Sequence, residues 1–169
     1  MFVGAAVLAA STVLAQQPAT ESAALKGAYN GIKNNLMKAA EKMPDNQYDF
    51  KASPDIRTFG ALIGHIADAQ GRTCGAVAGS QWESVASKTS KADLVAGLKA
   101  SFDVCDGVFN SLTDEDATKT VSMGRGGARS KFAVLWGVIV HSNEEYGYLA
   151  VYMRLKGVVP PSSEGRGGR

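Results

Sequence analysis

The stretch from Phe132 to Pro161, FAVLWGVIVHSNEEYGYLAVYMRLKGVVPP, constrains the fold more than any other part of the chain. Val134, Val138, His141, Glu145, Tyr148 and Tyr152 recur at alternating steps of four and three, the spacing that keeps side chains on one seam of an α-helix. The pattern predicts a helix from about Ser130 to Lys156, roughly 40 Å long at 1.5 Å per residue. Its first half is apolar all round, as expected of a helix buried among others. Gly157 suits a left-handed cap, and Pro160-Pro161 forbid continuation. His141 and Glu145 therefore fall on the buried seam. Burying an imidazole and a carboxylate without partners costs several kcal/mol, so a metal, an ion pair or each other must compensate them.

Three further helices are expected upstream. Leu25, Tyr29, Ile32, Leu36, Ala39 and Met43 repeat the same spacing, and Pro44 ends the run. Ser53-Pro54-Asp55 reads as the entry to a second helix, because proline is tolerated in a first turn. The apolar seam of this helix is Phe59, Leu62, Ile66, Ala69, Thr73 and Ala76, with His65 on the flank and able to look inward. Residues 79–89 read as a linker. Ser90 and Asp93 form a capping box for a third helix, with Leu94, Leu98, Phe102, Cys105, Phe109 and Leu112 inward. Residues 113–129 read as irregular; within them Gly124-Arg125-Gly126-Gly127 either offers backbone amides to an anion or is simply a flexible loop. With 169 residues, 45% of them hydrophobic, there is enough apolar material for one all-α domain with a real core.

Residues 1–15 read as a secretory signal: an apolar run from Phe2 to Leu14 ending in small residues, without the usual basic residue at its start. The run is shorter than the roughly 20 residues of a membrane span, which argues against a permanent anchor. A periplasmic or secreted location follows. Residues 16–161 form the expected domain, and the Gly/Ser/Arg tail at 162–169 is expected to be disordered. A net charge of +2 and one short GRGGR run without interleaved aromatics exclude a nucleic-acid role.

Four helices, RTFGALIGHIADAQ around His65, and HSNEEYGYLAVYMRLKGVVPPSS on the last helix together resemble the DinB superfamily. The resemblance covers nearly the whole mature chain and implies a four-helix bundle in up-down-down-up order. Members include metal hydrolases and thiol-dependent transferases, which typically hold a divalent metal through one histidine on helix two and an H-x-x-x-H pair on helix four. Carried over by residue, His65 and His141 match, and the third position falls on Glu145 where the pattern has histidine. Glutamate four residues from His141 shares its helix face and is an ordinary ligand for zinc, manganese or iron. The resemblance thus implies a metal-dependent enzyme, hydrolase or thiol transferase, with zinc, nickel, manganese or iron on His65, His141 and Glu145, and the segment at residues 1–15 makes it an exported one. The alternative is a non-catalytic bundle that lost its metal and binds a small molecule or a protein. A small-molecule substrate is the expected partner, and a homodimer stays open.

Export makes Cys74 and Cys105 eligible to pair, while two buried free thiols are the plain alternative. Both lie toward the far ends of their helices. Antiparallel neighbours would separate them by on the order of 20 Å, beyond the reach of a disulfide, whereas parallel ones bring them level. The linker at 79–89 can extend about 35 Å, near the length of one such helix, so a parallel pair is feasible. This agrees with the order the resemblance implies, and the expectation is a Cys74–Cys105 bridge between parallel helices.

Overall fold

The computed structural model describes residues 20–165, so the expected signal segment, residues 1–15, and the last four residues lie outside it. Four long helices, α1 (Glu21–Lys42), α2 (Phe59–Ala78), α3 (Lys91–Ser111) and α5 (Lys131–Leu155), share one apolar core, and a five-residue helix α4 (Asp114–Thr118) follows α3. Each begins at a serine or threonine whose hydroxyl accepts a first-turn amide: Thr20, Thr58, Ser90, Thr113 and Ser130.

Contacts fix the directions. The start of α1 lies by the end of α3, where the Ser22 amide donates to Asp114, and Lys91 at the start of α3 pairs with Asp45 just past α1. Those two helices are antiparallel. Leu94 packs on Gly60 and Gly64 near the start of α2, and Cys105 is bonded to Cys74 with Cα atoms 5.1 Å apart, so α2 and α3 run in the same direction. Phe59 at the start of α2 meets Tyr152 near the end of α5, which makes that pair antiparallel. Tyr29, Phe59, Phe102 and Phe109 are fully buried, at about 2–3 kcal/mol each. Tyr29 stacks on Phe109 with centroids 3.9 Å apart and donates its hydroxyl to Asp106.

Parallel neighbours need a return path, and residues 79–90 provide it as a fixed strap. Asp68 of α2, 4% exposed, accepts from the Trp82 indole N–H, the Ser84 hydroxyl and the Val85 amide. The Trp82 ring lies over Gly71, where a Cβ would sit 2.1 Å from a ring carbon, so only glycine fits. Val85 lies likewise over Gly97 of α3.

Four expectations are corrected. Helix α2 starts at Phe59 rather than at Ser53-Pro54, because the amides of Phe59 and Gly60 donate to the carbonyls of Phe50 and Tyr48, folding the preceding segment back against the first turn. Residues 113–130 are ordered: α4 leads into a hairpin, β1 (Thr120–Ser122) with β2 (Ala128–Ser130), antiparallel with Thr120 opposite Ser130. Its turn spends the amides of Gly126 and Gly127 on the carbonyls of Met123 and Gly124, which removes them from any anion site. The first half of α5 is not buried all round, since Trp136 and Val140 are half exposed, and Tyr148 leaves the seam for solvent.

The fourth correction concerns the tail. Residues 162–164 are held against the helices: the Ser162 amide donates to the Tyr146 hydroxyl, Arg154 donates to Ser163, and Lys42 pairs with Glu164. They follow a helix end in which Val158 and Gly157 donate to the carbonyls of Met153 and Arg154, with Gly157 at φ 71°, and both Pro160 and Pro161 are buried. No helix among the described residues is long and apolar enough to cross a membrane.

Candidate metal centre

Antiparallel packing of α2 on α5 brings together residues 76 positions apart, His65 and His141. The i, i+4 step places Glu145 beneath His141 on the same face, so α5 supplies two side chains and α2 one. The three form a small triangle. Glu145 Oε1 is 3.3 Å from His65 Nε2 and 3.3 Å from His141 Nε2, and the two imidazole nitrogens are 3.3 Å apart. Among the described residues these are the three His, Cys, Asp or Glu side chains grouped closely enough to hold one ion.

Three ligand atoms each about 2.0–2.1 Å from a tetrahedral ion stand about 3.3 Å from one another. The triangle therefore has the dimensions that such an ion imposes. A cluster of two imidazoles and a carboxylate could instead hold itself together by hydrogen bonds, and that arrangement is strongest with one imidazole protonated. The surroundings oppose protonation at His65. Burial and the Arg57 charge push its pKa below the ordinary imidazole value, against the upward pull of Glu145. Neutral imidazole is the form a metal requires. Glu145 is 9% exposed at its side chain and the histidines about a third, so the base of the triangle is buried and its other side open.

Grooves flank it. One of about 720 Å³ runs past Glu145, lined by Ile56, Arg57, Tyr148 and Tyr152. Another of about 420 Å³ borders His141, with Arg72, Arg129 and Gln70 in its wall. Gln70 is 1% exposed, and neither its amide nitrogen nor its oxygen has a hydrogen-bond partner. Sequence reasoning located the triangle and set Tyr148 and Tyr152 on its seam, but missed Arg57, Arg72, Arg129 and Gln70. Gln70 sits among apolar positions of α2, and the grooves arise only when the helices are assembled.

The model of the DinB superfamily matches residues 29–149, more than half of the chain. Solved structures with the same fold include a DinB-like protein from Bacillus cereus ATCC 10987, with TM-score 0.68 and 20% identity over 81% of this chain and 93% of that one. A DinB-like protein from Bacillus subtilis gives TM-score 0.65 and 18% identity over 79% and 92%. A conserved protein from Enterococcus faecalis gives 0.63 and 12% over 80% and 96%. No curated protein matches the chain. The match over α1 to α5, together with the shared fold of these neighbours, establishes that the chain belongs to the DinB superfamily.

Proposed function

We propose that this protein is an exported, divalent-metal-dependent enzyme acting on a small molecule, as a hydrolase or a thiol-dependent transferase. The observation that carries the reading is the triangle of His65, His141 and Glu145, with all three sides at 3.3 Å. Two imidazoles and a carboxylate suit zinc, nickel, manganese or iron, and leave a coordination position for water or substrate. When bound, a divalent cation supplies Lewis acidity that lowers the pKa of a water or thiol entering the open side. The chain's own part is to present Glu145 at the base, to keep His65 neutral, and to position substrate. Arg72 and Arg129 line the groove beside His141, which suits a substrate carrying negative charge. The disulfide supports export, since such bonds persist in oxidising compartments.

The alternative, a metal-free bundle serving as a binding module, rests on Glu145 occupying a position where the family pattern has histidine. Titration calorimetry with zinc, nickel and manganese, on chelator-treated protein, separates the two. Binding by the parent chain that disappears in His141→Ala supports the metal reading. Absence of binding in both the parent and Glu145→His would overturn it.

A further inference from the structure

Seven large apolar side chains are exposed among the described residues, and five of them stand on α5: Trp136 at 50%, Val140 at 49%, Tyr148 at 51%, Val151 at 54% and Leu155 at 58%. Helix α5 packs on α1 and α2 with its opposite side, and no element among the described residues covers this face. Half-exposed side chains of these sizes put on the order of 400–500 Å² of apolar surface on one helix, about the largest patch a monomer ordinarily carries.

The stripe also has an internal symmetry. Positions 136, 140, 144, 147, 151 and 155 are separated by steps of four, four, three, four and four, a series that reads the same from either end. We propose that α5 pairs antiparallel with α5 of a second copy about a two-fold axis passing beside residues 145 and 146. In such a pair the same patch serves both copies. Trp136 then faces the partner's Leu155, Val140 faces the partner's Val151, and Glu144 faces the partner's Gly147. Large side chains meet at the two ends and the middle is slim. Gly147 has nothing within 4 Å of where a Cβ would stand, which leaves room for the Glu144 stem.

The apolar area supplies the centre of a standard interface of about 800 Å² per partner. No lysine or arginine stands at the six stripe positions, which argues against an anionic lipid surface, where basic residues accompany exposed aromatics. Glu144, the one charge of the stripe, accepts from Tyr148 at 3.4 Å. The axis brings the two Glu144 carboxylates toward each other, so this residue weakens the pair rather than making it. Tyr148 also lines the groove beside Glu145, and the second copy would therefore wall the mouth of that groove.

Sedimentation velocity on the full chain over a dilution series tests the proposal, with circular dichroism as the control for folding. The expected result is a dimer whose Kd rises by about tenfold or more in Val140→Glu and in Val151→Glu, and falls in Glu144→Gln. A parent chain that stays monomeric at about 10⁻⁴ M overturns the proposal. So does a dimer that both glutamate variants leave unchanged while folded. A monomer that binds phosphatidylcholine vesicles through Val140 would assign the stripe to lipid and likewise overturn it. The outcome does not depend on metal, so its failure is separate from that of the metal reading.

Discussion

Glu145 differs from histidine in charge as well as reach, and the difference can be measured. Glu145→His should raise affinity for zinc and nickel, because a third imidazole replaces a carboxylate one turn from His141. His141→Ala should lower affinity by roughly a hundredfold or more, since even losing a supporting contact to a ligand costs about 10–100-fold. Both are read by calorimetry. Asp68 carries a prediction for stability. Burial alone would raise its pKa, but hydrogen bonds from Ser84, Trp82 and Val85, with Arg72 nearby, hold it below the usual carboxylate value. A carboxyl whose pKa is lower folded than unfolded stabilises above the unfolded value, and that contribution is lost as pH falls through the folded one. Urea midpoints should therefore drop from pH 6 toward pH 3, less steeply in Asp68→Asn, which should also be less stable at pH 7 by about 1–3 kcal/mol.

Helices were more legible than the segments joining them. The four-three spacing of α1 and α3 survives in the structure because one continuous stripe on each meets the core, whereas the seam of α5 is broken at Tyr148, which turns to solvent. The start of α2 was not legible, since Ser53-Pro54-Asp55 carries a valid entry signal and only the backbone bonds of Phe59 and Gly60 to a distant turn override it. Thr58, the actual cap, is an equally good signal one turn later. The hairpin strands are three residues each, too short to show alternation. Residues 162–164 misled because they read as part of a disordered tail while Tyr146, Arg154 and Lys42 hold them. Removing residues 158–169, harmless by composition, should now lower the melting temperature by several degrees, as buried Pro160 and Pro161 and the Lys42–Glu164 pair are lost. A thermal scan that overlays the parent would contradict this.

At the scale of the molecule, the cysteine positions bore on topology because a disulfide demands proximity. Cys74 and Cys105 close a loop with a separation of 31 residues, for which chain entropy alone gives about 3–4 kcal/mol. Cys105→Ser should accordingly lower the melting temperature by roughly 6–14 °C, checked against the same chain under reducing conditions. The candidate metal centre was legible as His141 and Glu145 four residues apart on the last helix, with His65 on the flank of the second helix joined to them through the family resemblance. Its grooves were not, because they belong to no single segment.

The connection of α2 to α5 has a consequence in time. Synthesis proceeds from the N-terminus, and a chain released through residue 130 contains α1, α2, α3 and the strap but one of the three candidate ligands, His65. The other two arrive together on the last helix, which also closes the core against both α1 and α2. Assembly of the candidate triangle and closure of the core are therefore one late event. Under the proposed function, a chain exported before that helix folds would carry no assembled site, and the compartment in which the last helix folds would decide which ion is offered to it.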